Sequence, residues 1–178
     1  MLKTEIDNMK ITHLTFILLS IVLFSSPTYA EDKILVEGKG FKNLIIGELN
    51  NEDMIRILGE PDSIEETPKE WSRNYIYSNL GLKLNFHNGT LNTISTLPNF
   101  DGRTSKGITL KSSLEDIEAT YGQPVVASST TKDKAKVWVY DEGVIFWLKR
   151  SRFLKRFEKI DKIVIHDNNQ WRWKEKKK

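Results

Sequence analysis

The chain of 178 residues contains no cysteine. That absence excludes disulfide bridges, a thiolate nucleophile and any metal site built on cysteine sulfur. Stability must then come from packing, and 39% hydrophobic residues are enough to build a core. Histidine is nearly as scarce, with three in all. Only His87, beside Asn88 and Gly89, and His166, next to Asp167, follow residue 30. Neither has a second histidine at ligand spacing, and no HExxH motif occurs, so no metal is expected. A GxSxG elbow and a phosphate loop are missing too. The glycines of VEGKGF (36–41) lack the third glycine and following helix of a dinucleotide fingerprint, and read as a bend into the first strand. No cofactor is expected.

Long hydrophobic runs are missing as well. LTFILLSIVLF (14–24) is the main apolar stretch, and it is shorter than the roughly 20 residues that cross a bilayer. Lys10 precedes it and SSPTYA follows, with Thr28 and Ala30 in the small-residue positions before a cut at Ala30/Glu31. This pattern predicts a secretory signal over residues 1–30 and a periplasmic or secreted product. Glu5 and Asp7 suit such a leader poorly, and Met9 offers an alternative start. No cysteine stands at the cut to carry a lipid anchor.

Charge is unevenly spread. Residues 31–148 hold 13 Lys and Arg against 18 Asp and Glu, whereas residues 149–178 hold 12 against 4. The basic character therefore belongs to the last thirty residues, where KRSRFLKRFEK and WRWKEKKK interleave cations with Phe and Trp. Such mixtures suit an anionic membrane surface or polysaccharide, through charge attraction and interfacial aromatic burial. Arg150, Arg152, Trp171 and Trp173 are the candidates for that contact. Nucleic acid fits the same charge but not an exported product.

The chain repeats itself. LIIGELNNEDMIRILGEPDS (44–63) and GITLKSSLEDIEATYGQPVV (107–126) align at a 63-residue offset through Gly59-x-Pro61 and Gly122-x-Pro124. Asn50 and Ser113 fall at helix N-cap positions, with Asp53 and Asp116 placed to complete a capping box. Met54 and Leu58, matched by Ile117 and Tyr121, give each helix an apolar stripe, and the Gly-x-Pro ends it. Alternating segments follow: Tyr75 and Tyr77, then Leu82, Leu84 and Phe86, then Leu91 and Ile94, with Asn88 and Gly89 as a hairpin turn. The second copy answers with Trp138 and Tyr140, then Val144, Phe146 and Leu148, then Ile160 and Ile163. The expected fold class is α+β: two tandem repeats (31–98 and 99–170), each a short helical segment packed on a three- to four-stranded antiparallel meander, before a basic tail (171–178). The stretch 97–107 reads as a polar joint.

GKGFKNLIIGELNNEDMIRILGEPD and TSKGITLKSSLEDIEATYGQP, with Trp71 and YIY, resemble the BamE/SmpA-type outer-membrane assembly domains over residues 38–167. Two such units in tandem also resemble the β-lactamase-inhibitor-protein fold. The resemblance implies a non-enzymatic protein-interaction module of the bacterial envelope or exterior, with an envelope protein as partner. The missing anchor cysteine departs from the membrane-tethered members, and no inhibitory loop carries over.

Carboxylate pairs offer little chemistry. Glu52 and Asp53, and Glu115 and Asp116, serve helix starts, while Glu65 and Glu66, and Asp141 and Glu142, sit in predicted turns. Apolar residues on the wrong strand face point further. If Trp138, Tyr140, Val144, Phe146 and Leu148 face the helix, then Val137, Val139, Ile145 and Trp147 face away. The matching positions of the first copy are Asn74, Ile76, Lys83 and Asn85. The expectation is an open apolar binding face in the second copy alone. The predicted function is non-catalytic binding; a small periplasmic enzyme or inhibitor with a site between the repeats is the alternative.

Overall fold

The computed structural model describes residues 32–69, 71–129, 135–150 and 157–167. In chain order the strands are β1 (Ile34–Val36), β2 (Gly40–Phe41), β3 (Leu44–Ile45), β4 (Ser63–Glu66), β5 (Ser72–Tyr77), β6 (Leu82–His87) and β7 (Thr90–Thr96). They continue with β8 (Arg103–Thr104), β9 (Val126–Ser129), β10 (Ala135–Tyr140), β11 (Val144–Arg150) and β12 (Phe157–His166). Two eight-residue helices, α1 (Asn51–Leu58) and α2 (Leu114–Tyr121), complete the described elements.

The α+β expectation is overturned, because the molecule is mostly β. Its strands form one eight-stranded sheet, ordered β4-β5-β6-β7-β12-β11-β10-β9, and one four-stranded sheet, ordered β3-β2-β1-β8. The reason lies in packing. Each helix is so short that it fully buries a single side chain, Met54 from α1 and Ile117 from α2. The small sheet supplies Leu35, Phe41 and Leu44 to the same core, which joins Tyr75, Leu84 and Phe146 of the large one. Two β layers therefore enclose the core, and the helices only plug it. The stretch 97–107 is also more than a joint: β8 lies within it and Phe100 and Thr104 are buried.

Local chemistry formed the helices where the caps predict them. Asn50 accepts a hydrogen bond from the Asp53 N–H at 2.9 Å. Ser113 and Asp116 make the reciprocal box, at 3.1 and 2.7 Å. A further tether occurs twice: Tyr77 donates its hydroxyl to the Gly59 carbonyl at 2.8 Å, and Tyr140 to the Gly122 carbonyl at 3.3 Å. Each bond locks a helix end to the strand beneath it.

Strand pairing follows the alternation. Tyr75 lies between Ile64 and Leu84, and Trp138 between Ala127 and Phe146. Asn88 and Gly89 both have positive φ, 50° and 76°, as a two-residue I′ hairpin turn requires. One bulge also recurs. Asn92 is skipped between β6 and β7, and Asp161 between β11 and β12, which keeps Leu91 and Ile94, and Ile160 and Ile163, on the core side.

Candidate functional site

The two meanders meet at β7 and β12, which share only three residue pairs: Ser95 with Val164, Ile94 with Ile165, and Thr93 with His166. The ladder stops because Thr96 intervenes with its side chain, whose Oγ1 accepts the Ile163 N–H at 2.9 Å. Leu97 then donates its N–H to the Gly81 carbonyl at 2.7 Å, and the chain leaves the sheet. Among the described residues, β12 pairs from Phe157 to Lys162 with β11 alone.

A cleft of about 590 Å³ opens where the strands part. Small-molecule sites usually enclose roughly 300–1,000 Å³. Residues 98–102 form one wall, 109–111 a second, and Lys149 with 159–161 a third. The first wall is firmly held. Asn99 donates its amide to the Ser78 carbonyl at 2.7 Å, and Phe100 its N–H to the Leu97 carbonyl at 3.0 Å. Gly102 permits this fold-back, since a Cβ there would stand 2.1 Å from the Lys33 carbonyl oxygen and 2.5 Å from the Phe100 ring. Gly81 does the same from below, where its φ is +68° and a Cβ would lie 2.7 Å from the Phe100 Cα. On the second wall, Lys111 donates its N–H to Thr109 Oγ1 at 3.1 Å.

Pro98, Phe100, Leu110 and Ile160 supply the apolar lining. Of the two lining carboxylates, Asp101 is engaged by Lys33 at 2.7 Å and Asp161 by Lys149 at 3.7 Å. The Lys33 hydrogen bond holds the Asp101 carboxyl below the usual carboxylate range. Lys111 and Lys159 are exposed and make no ion pair with any described residue. The lining thus combines apolar side chains with three lysines against two carboxylates. Sequence patterning could not reveal the cleft, because Lys149 and residues 159–161 close it from far along the chain.

The open apolar face requires correction. Val137, Val139 and Ile145 do come together on the far side of the sheet from the main core, with Val164 and Val126 beside them. They are 8%, 6% and 6% exposed, so they form a second, smaller core instead of an open patch. Trp147 packs at its margin, half-buried, with the Lys162 ammonium 4.1 Å from its ring centre. Arg150 ends β11, pairing with Phe157. Arg152, Trp171 and Trp173 lie outside the described residues, as do the leader (1–30) and the basic tail.

One polar network also escaped sequence reading. Glu37, after β1, accepts hydrogen bonds from the Tyr121 hydroxyl and from Ser105. Tyr121 also lies 2.8 Å from Thr104 Oγ1. Burial tends to raise the Glu37 carboxyl, but the Ser105, Tyr121 and backbone hydrogen bonds outweigh it and hold it below its ordinary value. Burial, and then the Glu37 contact, push the Tyr121 hydroxyl up. The network clamps the end of α2 to the small sheet. Among the described residues, no three His, Asp or Glu side chains gather to hold a metal ion. No described helix is long and apolar enough to cross a membrane.

No known protein family matches the chain, and no curated protein does. Two solved structures are similar in shape. A DUF4309 family protein (YjgB) from Bacillus subtilis matches with a TM-score of 0.48 and 12% identity, over 73% of this chain and 88% of that one. An extracellular protein containing a SCP domain from Bacillus anthracis matches with a TM-score of 0.46 and 14% identity, over 72% of this chain and 45% of that one.

Proposed function

We propose that this protein is a non-catalytic binding protein working outside the cytoplasm, and that the cleft beside the β7–β12 seam is its recognition site. The leader-like segment over residues 1–30 supports the location. The cleft carries the functional reading: its first wall is anchored backbone, its lining includes apolar side chains, and Lys111 and Lys159 have no carboxylate partner among the described residues. Such a pocket is ready for a ligand without rearrangement, which limits the entropic cost of binding. Both lining carboxylates already face lysines, Asp101 with Lys33 and Asp161 with Lys149. An apolar lining beside cationic side chains suits binding.

The test uses residues 31–178 and extracts of culture medium and cell envelope, separated by charge and size. At least one fraction should raise the melting temperature of the wild-type protein and leave that of Leu110→Glu unchanged. Leu110 is only half-buried, so the variant should still fold. Equal shifts for both proteins, or none in any fraction, would overturn the cleft as the site.

A further inference from the structure

The same cleft specifies a class of ligand, an inference that rests on its being the binding site. We infer that it takes a small amphipathic anion: an extended apolar body carrying one carboxylate or phosphate at its end. Two independent features of the lining converge on this chemistry. The lining offers the accessible Pro98 and Leu110, with the small exposed edges of the buried Phe100 and Ile160, for an alkyl chain to cover.

The rim selects the sign of charge. Asp101 and Asp161 would repel an anion if they stood alone, but Lys33 and Lys149 are already set against them. Lys111 and Lys159 remain as lining cations that no described carboxylate pairs with. They stand on different walls of the cleft, Lys111 before α2 and Lys159 on β12. Lysine is a flexible point charge with three donors, and it accepts carboxylate or phosphate without demanding a fixed geometry. A cationic ligand would meet net repulsion there, and a neutral one would gain nothing from the rim.

Four soluble probes decide the matter: decanoate, decyl phosphate, decanol and decylamine, with acetate and inorganic phosphate as headgroup controls. Binding is followed by calorimetry on residues 31–178 and by amide chemical shifts at Gly102, Leu110 and Ile160. Decanoate and decyl phosphate should bind one to one and move those amides, at least tenfold more tightly than decanol. Decylamine, acetate and inorganic phosphate should show no saturable binding. Lys111→Gln combined with Lys159→Gln should weaken both anions about tenfold and leave decanol unchanged. Both lysines are exposed, so the double variant should melt close to the wild type. Equal affinity for decylamine and decanoate, or no loss in the double variant, would overturn the anion assignment and leave the cleft as a binding site. If no probe of any charge shifts Gly102, Leu110 or Ile160, the cleft reading falls with it.

Discussion

The two halves of the eight-stranded sheet share a frame down to its irregularities, and differ in what the frame carries. Both use a capped helix tied by a tyrosine, a bulged meander and an aromatic at the same place, Tyr75 in one and Trp138 in the other. On the far face they part. The first half shows a polar ladder there: Asn85 donates to Asn74 at 2.9 Å and Ser72 at 3.0 Å, and Lys83 pairs with Glu65 at 2.9 Å. The second half places Val137, Val139, Ile145 and Val164 in those rows and buries them. The backbone tolerated this divergence because strand alternation separates the two faces: the core side fixes pairing, and the far side can change without disturbing it.

The largest effects should fall on the shared side. Leu84→Ala and Phe146→Ala occupy matching core positions, and both side chains are fully buried. Each should cost roughly 2–5 kcal/mol in urea unfolding, with the phenylalanine at the upper end. Because one core spans both halves, each variant should shift a single cooperative transition. Two separate transitions would break the picture of one body.

The far face should split the halves. Ile145→Ala should cost about 2 kcal/mol or more, since its side chain is buried in the smaller core. Lys83→Ala, at the matching row of the first half, removes a partly exposed ion pair worth at most about 1 kcal/mol. Equal costs would mean that Ile145 gains nothing from its cluster.

The seam comes next. Thr96 stands where the second half has Ile165, and it alone receives the Ile163 N–H. Thr96→Val keeps the shape and strands that buried donor, at a cost of about 1–3 kcal/mol. Thr96→Ser should recover most of the loss. Hydrogen exchange at the Ile163 amide reads the bond directly, and unchanged protection in Thr96→Val would remove its role.

The smallest effect is one of pH. His166, buried at the seam, is held below its ordinary imidazole value, chiefly by burial, while Asp167 pulls the other way. The unfolded chain, near pKa 6.5, takes up a proton more readily than the folded one. Its contribution is thus complete above that pH and is lost as pH falls towards and through the folded value. Melting temperature should decline on acidification from neutrality, and His166→Gln should flatten that slope. A variant with the same slope would place the pH response elsewhere.

Much of the frame was legible because it is written in local chemistry. Asn50 and Ser113 bind their own helix N–H groups, Asn88 and Gly89 adopt the φ a hairpin needs, and period-two alternation named the core side of β5 to β7 and β10 to β12. The small sheet was not legible, since strands of two or three residues carry no period, and without it the helices looked more important than they are. Alternation sets Val137, Val139 and Ile145 on one face of the second half, yet it reports which side a residue takes and not what covers it. The cleft had no sequence signal at all, because its walls are brought together only by the tertiary fold.

The parallel pairing of β1 with β8 bears on the order in which the molecule can be assembled during synthesis. Ile34 and Leu35 lie beside Arg103 and Thr104, so an early segment waits for one made much later. A chain emerging from its N-terminus can build α1 and the first meander from local contacts, but β1 has no second neighbour until residue 104 arrives. Leu35, fully enclosed in the finished protein, stays short of cover until then. Closing so long a loop is slow compared with forming hairpins. The duplicated shape is therefore not a duplicated folding unit: the first half is completed only as the second begins, and a nascent chain stopped between them would present its unfinished core to whatever waits nearby.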